Sequence, residues 1–193
     1  MIEPREIRHD ILPEIRDRWS PRAFDPDRPV SDGDLLALLE AARQAPSCMN
    51  EQPWRFLVAR TEESRRKLVG VLAGRNPAWA KDAPVLLLVL AVQAFEETGK
   101  PNRWHLFDTG TAWGFLSLEA QRRGLVTHAM GGVRVDQARA AFAIPEDMSI
   151  VCAVAVGYYG DPARLEPDLR EREHPSPREP LESLLFGGDP PSV

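Results

Sequence analysis

Pro46-Ser47-Cys48-Met49-Asn50-Glu51-Gln52-Pro53-Trp54 is the stretch on which the fold turns. Upstream, Ser31 with Asp34 three residues later reads as a helix N-cap with an acidic partner. Leu35, Leu36, Leu38, Leu39 and Ala42 then supply a helical apolar face, and Pro46 stops it because its ring cannot continue a helix. Downstream, Trp54 to Arg60 predicts a short strand. Helix therefore passes into strand through a loop of small and amide side chains. Ser47, Asn50 and Gln52 carry donors and acceptors of the kind that read the edge of a heteroaromatic ring. Taken alone, they serve equally well as loop residues satisfying local backbone groups.

Outward from this loop, Glu62 to Leu72 predicts a helix with Leu68, Val69 and Leu72 on one side. Val85 to Val92 is apolar on both faces, as a central strand covered on each side must be. His105 to Arg123 predicts the longest helix, with Gly124 at its C′ position and small residues between Gly110 and Ala120 that admit another backbone. Val135 to Phe142 predicts a short helix ended before Pro145, and Ile150 to Val156 a second buried strand broken by Gly157. Asp161 to Pro180, rich in proline and charge, predicts an extended arm. Leu181, Leu184, Leu185 and Phe186 then form an apolar end that must dock on its own core or on a second subunit. Helices and strands mix without strict βαβ alternation, which favours α+β over a doubly wound sheet. There is no repeat or linker, so residues 1–193 are expected to form a single domain.

At 43% hydrophobic and 27% charged residues the chain has a globular composition. Its 24 basic and 29 acidic residues leave a net charge of −5, which argues against nucleic acid as a partner but not against a local pocket for one phosphate. Two cysteines, Cys48 and Cys152, make no disulfide framework or zinc site, so a reducing, cytoplasmic setting is expected. Met1 to Asp10 lacks the apolar core of a secretory leader. Pro84 to Val92, the longest apolar run, is about half of the ~20 residues a membrane helix needs, so no membrane partner is expected. Neither GxGxxG, GxxxxGK[ST] nor GxSxG occurs, and His9, His105, His128 and His174 have no metal-ligand spacing, so no metal is expected.

Three further segments carry chemistry. In Arg18-Trp19-Ser20-Pro21-Arg22-Ala23-Phe24 two arginines flank a serine, and an arginine fork holds a phosphate bidentately; alone, the segment reads as two solvated arginines. Ala129-Met130-Gly131-Gly132-Val133 places two glycines after an apolar strand, where backbone approaches a flat ligand; alone, it is an ordinary turn. In Ser176-Pro177-Arg178-Glu179-Pro180-Leu181-Glu182 an arginine sits between two prolines, restrained for a phosphate or simply in water. Cys48 is explained by its place in the polar loop rather than by reactivity, and His128 reads as a satisfied structural histidine or as a wall of an acceptor pocket.

Together and in order, these segments resemble the nitroreductase family of FMN enzymes, over most of the chain from Arg18 to Leu185. That family shows a basic-x-Ser-x-basic opening, a Pro-Ser-x-x-Asn-x-Gln-Pro-Trp loop, a glycine-containing loop beside the flavin and a C-terminal basic-x-Arg-x-Pro. The Pro46 to Trp54 match is the most specific. The resemblance implies a three-layer sandwich with a central mixed or antiparallel sheet flanked by helices. It also implies a homodimer in which the C-terminal arm is exchanged and FMN lies at the subunit interface. Arg18, Ser20, Arg22 and Arg178 would hold the FMN phosphate and ribityl chain, with Trp19 contributing backbone. Pro46, Ser47, Cys48, Met49 and Asn50 would reach the same flavin from the second subunit. Asn76 would contact the ring, and Gly131 and Gly132 would offer N–H groups near N5.

The implied activity is hydride transfer from NADPH or NADH, through FMN, to a small acceptor such as a nitroaromatic or quinone, with ping-pong kinetics and no catalytic side chain. Three departures stand out: Trp79 where many members carry lysine, Gly131 for a frequent acid, and Ser176 for the first basic residue of the C-terminal pair. Two alternatives remain open. One is a specialised flavin enzyme of the same fold, for reductive dehalogenation or flavin fragmentation, for which only the short segment Val92 to Leu106 offers a lid. The other is a non-catalytic flavin-binding protein, which steady-state NADPH oxidation would distinguish.

Overall fold

A strand with no polar side cannot lie at a surface, and Val85–Val92 (β2) accordingly occupies the middle of the sheet. The computed structural model describes residues 5–189. Trp54–Ala59 (β1) pairs with one edge of β2 and Met148–Gly157 (β4) with the other, and Val126–Met130 (β3) lies outside β4. All three pairings are antiparallel, so of the two expected sheet types the antiparallel one is realised.

The period of two along β2 sorts its side chains into two cores. Leu86, Leu88 and Leu90 face Leu68, Trp79, Ala80, Ala138 and Leu169. These come from α3 (Glu62–Val69), α4 (Asn76–Ala80), α6 (Val135–Phe142) and α7 (Pro167–Arg170). Val85, Leu87 and Val89 face Leu35, Leu38, Ala42, Ala112, Leu116 and Ala120 from α2 (Asp32–Arg43) and α5 (His105–Arg122). The result is the three-layer α+β sandwich. The cap of α2 is the one expected: Ser31 Oγ accepts from the Asp34 N–H at 3.0 Å and donates to the Asp34 carboxylate at 2.7 Å. Gly124, at φ +71°, closes α5 in a left-handed conformation that favours glycine.

Two expectations need correction. Asp161 to Pro180 is not simply extended: Asp161 caps a 3₁₀ turn, Pro162–Arg164, and α7 follows, burying Leu165 and Leu169. Proline at the first position of a helix loses no hydrogen bond, so the prolines start these turns rather than forbid them. The helix after Glu62 ends at Val69, and Leu72 stays buried by bridging to Val133.

The segment from Arg5 to Arg8 lies beside that from Ser176 to Glu182. Arg5 Nε donates to the Ser176 carbonyl at 3.1 Å, and Arg8 pairs with Glu182 at 2.6 Å. The apolar end beyond them is uncovered: Leu184 is exposed and Phe186 is 104% exposed. Leu106, Phe107 and Phe115 of α5 are also exposed, and nothing stands within 4 Å of where a Cβ on Gly110 or Gly114 would lie. No helix among the described residues is long and apolar enough to cross a membrane.

Candidate functional site

Five arginines line one cavity of about 340 Å³. Arg18, Trp19, Ser20 and Arg22 come from the turn before Phe24, and Arg172, His174, Ser176 and Arg178 from the segment after α7. Arg5 of the N-terminal segment and His128 of β3 complete it. The turn is set by its neighbours. Phe24, buried, bridges to Tyr159, and the Gly160 backbone lies so close that a Cβ there would stand 2.5 Å from the Phe24 carbonyl carbon. Glu173 then clamps the two chain ends together. Its side chain, 1% exposed, accepts from the Arg22 N–H at 2.8 and 3.0 Å and from the Ala23 N–H at 2.8 Å.

Elsewhere most arginines find acids, as Arg66 does with Glu62 at 2.6 Å and Arg123 with Asp34 at 3.0 Å, although Arg28, Arg55, Arg65, Arg103, Arg134 and Arg170 have no such partner among the described residues. Among the described residues, Arg5, Arg18, Arg172 and Arg178 have no carboxylate partner, and Arg22 reaches only Glu173, at 3.8 Å. Arg18 Nη2 donates to Ser20 Oγ at 3.0 Å, but Arg18 Nε is buried without a partner. Burial first, and then the charge of Arg178, pushes the Arg18 guanidinium below its ordinary pKa. A buried donor left unpaired beside unneutralised cations is the state an anion relieves.

His128 forms the floor. Its Nδ1 lies 2.9 Å from the Pro21 carbonyl and therefore carries the proton, and its ring packs 4.5 Å from that of Trp79. Burial pushes its pKa down to about 4, outweighing the carbonyl contact. The unfolded chain therefore binds a proton that the fold refuses. His128 favours folding fully above its ordinary pKa of ~6.5, and that contribution, of order 3 kcal/mol, fades as pH falls toward 4. In an NMR titration its ring resonances should stay unshifted from pH 8 to 5. A midpoint near 6.5 would overturn the structural reading.

The other expected site residues form two further groups. Gly131 and Gly132 follow β3, and Asn76 at the start of α4 lies against them: a Cβ on Gly132 would sit 2.8 Å from Asn76 Nδ2. Ala73 N–H donates to the Gly132 carbonyl at 2.8 Å, fixing the turn. Trp79, three residues on, is 1% exposed and stacked against Phe24 at 6.1 Å, so it is a core residue and not a ring-facing replacement for lysine.

Pro46, Ser47, Cys48, Met49 and Asn50 lie before β1, at the sheet edge opposite β3, and do not reach the cavity. Cys48 N–H donates to Asp108 of α5, itself 3% exposed, at 3.0 Å, and the Gln52 N–H donates to Ser47 Oγ at 3.0 Å. Met49, Asn50 and Gln52 all have φ between 51° and 58°, a conformation costly for side-chain-bearing residues. Such strain collects at functional loops, and Met49 is 84% exposed at the tip. Arg5, Arg172, His174 and Glu173 were not singled out from sequence. Arg172 lies in a charge-alternating run that reads as solvated arm, and only its spacing of six residues from Arg178 hints otherwise.

Fold and cavity together define an antiparallel α+β sandwich with an arginine-lined cavity at its β3 edge. The profile of the Nitroreductase family matches residues 15–78 and 72–158, and the chain belongs to that family. A Thermus thermophilus protein named NADH dehydrogenase is 30% identical over 200 aligned positions, covering 88% of this chain and 91% of that one. The major NAD(P)H-flavin oxidoreductase of Aliivibrio fischeri is 35% identical over 60 residues, covering 31% and 28% respectively. A solved structure described as an oxidoreductase containing FMN superposes with a TM-score of 0.90 at 40% identity, covering 96% of this chain and 95% of that one.

Proposed function

We propose that this protein is an FMN-dependent oxidoreductase that passes hydride from NADH or NADPH to a small acceptor such as a nitroaromatic or quinone. We further infer that it works as a homodimer. The observation that carries the reading is the cluster of five arginines, four with no carboxylate partner among the described residues, around the unpaired Arg18 Nε. A phosphate monoester brings about −1.5 to −2 charges and three strong acceptors, which is what this cavity lacks. Arg18, Ser20, Arg22 and Arg178 would hold it.

From His128 in the cavity wall to Gly132 is four residues, roughly 13 Å at full extension, a span suited to a phosphorylated ribityl chain lying along β3. The ring would then rest beside Gly131, Gly132 and Asn76. When bound, FMN supplies the hydride chemistry, and the protein supplies placement and electrostatics. His128, neutral and tied to Pro21, keeps the cavity floor fixed and adds no charge.

Dimerisation is supported by the exposed apolar residues Leu106, Phe107 and Phe115 of α5 and Leu184 and Phe186 of the C-terminal arm. A second copy covering them in an isologous interface would bring the strained Pro46-to-Asn50 loop to the partner's flavin. Between Val92 and Leu106 the chain makes only a small hairpin, with Ala94 bridged to Pro101 and a turn at Gly99, which favours a broadly accepting reductase over an enzyme with a substrate lid.

The test is to purify the protein without added cofactor, record its visible spectrum, and add NADPH anaerobically. Yellow protein that bleaches and releases FMN on denaturation supports the reading. Colourless protein that takes up no added FMN overturns it. Parallel initial-rate lines at several acceptor concentrations are expected for one site used in turn, and intersecting lines would remove that part.

A further inference from the structure

The cavity carries more positive charge than one phosphate can use. Among the described residues its five arginines pair with one carboxylate, Glu173, which is already committed to two backbone amides. That leaves a surplus of about four charges, of which a phosphate monoester neutralises at most about two. The chain as a whole is acidic, at −5, so this surplus is local and not a general basicity. About 340 Å³ is also room for roughly ten waters at ~30 Å³ each, enough for more than one phosphate group.

Resting on the FMN reading, we propose that the same cavity holds a second phosphate group, on the side of Arg172, Arg5 and His174, when a phosphorylated ligand binds beside the flavin. Arg172 is the residue that points there most plainly. Its carbonyl accepts from Arg22 Nη1 at 3.3 Å, and the next residue, Glu173, is clamped to the Arg22 and Ala23 amides. The backbone of Arg172 is therefore fixed, while the residue, exposed to solvent, lines the cavity with no acidic partner among the described residues. Arg5 uses Nε and Nη1 to hold the Ser176 and Arg18 carbonyls, 3.1 and 2.7 Å away, which leaves Nη2 for a ligand. The groups also repel one another. Burial and then Arg178 and Arg18 lower the pKa of Arg5, and burial and then Arg172 lower that of Arg22. Two sources have the required chemistry: the 2′-phosphate that distinguishes NADPH from NADH, and free phosphate.

The FMN-loaded protein should be titrated calorimetrically with 2′,5′-ADP, 5′-AMP and inorganic phosphate. If the 2′-phosphate is the occupant, 2′,5′-ADP binds about tenfold or more tighter than 5′-AMP, as one charge-assisted contact allows. Arg172→Ala then abolishes the difference and raises the KM for NADPH by a larger factor than that for NADH, measured on protein whose visible spectrum shows it to be FMN-loaded. Arg172→Lys retains part of it, having the charge but not the fork. If free phosphate is the occupant, inorganic phosphate binds the FMN-loaded protein in an Arg172-dependent way and the two nucleotides bind alike. The proposal is overturned if no phosphate probe binds the FMN-loaded protein, or if binding is indifferent to Arg172→Ala. A protein that takes up no FMN overturns the cofactor reading itself, and its spectrum reveals that before any titration.

Discussion

Arg18→Ala should purify colourless and bind added FMN about a hundredfold more weakly than the parent protein. Arg18 offers the phosphate a buried Nε with no other partner and an Nη2 held by Ser20. Hydrogen bonds to a charged group contribute about 1.5–3 kcal/mol each. Losing two removes about 3 kcal/mol or more, a factor of about 10² or greater in affinity. Arg18→Lys should recover little, because an ammonium cannot present a planar fork. Stability should move the other way. Arg18 lies near Arg178 and depresses the Arg5 pKa, so its removal relieves repulsion in the empty cavity. An unchanged or slightly raised melting temperature with lost FMN affinity is the expected pair of results. Fluorescence titration with FMN and with riboflavin checks the cause, since riboflavin, having no phosphate, should bind both proteins alike. Wild-type FMN affinity in Arg18→Ala would remove Arg18 from the site.

What the sequence made legible was the part written locally. β2 is readable residue by residue because an apolar run on both faces has one place in such a sheet. The α2 cap, the α5 end at Gly124 and the whole of α6 follow from caps, proline and period. Strand order was not legible, because pairing β2 with β4 joins residues some sixty positions apart and nothing local encodes the partner. The cavity divides in the same way. Arg18, Ser20, Arg22 and Arg178 stand in segments with a recognisable pattern, and the structure gathers them. Arg5, Arg172 and Glu173 do not, because their placement depends on side-chain contacts to backbone across about 150 residues, as in the Glu173 clamp on Arg22. The proline-rich stretch after Asp161 departs from an extended arm for a different reason: its prolines serve as the first residues of short helices.

Trp79 presents the sharpest contrast between a residue read by alignment of pattern and one read by packing, and it makes the second large prediction. Trp79→Ala should lower unfolding free energy by about 3–5 kcal/mol, the usual effect of truncating a large buried aromatic. The indole is nearly inaccessible, lies almost parallel to Phe24 with ring centres 6.1 Å apart, and packs on His128 at 4.5 Å. Phe24 carries the bridge to Tyr159 that seats the Arg18-to-Arg22 turn, so the cavity should loosen and FMN affinity should fall with stability. His128 supplies an internal check. Its depressed pKa of about 4 depends on burial, so a hole beside it should admit water and let the value climb toward its ordinary ~6.5. Trp79→Phe, which keeps an aromatic on Phe24, should retain most of the stability and the low pKa. Trp79→Lys decides between the two readings of the position. A ring-facing site would accept a lysine, whereas a core site must bury an unpaired ammonium and should lose at least as much stability as with alanine. Urea unfolding of the three variants at pH 7, with the His128 titration followed by NMR, gives the comparison. A lysine variant as stable as the parent would mean that the indole is not what holds the cavity floor in place.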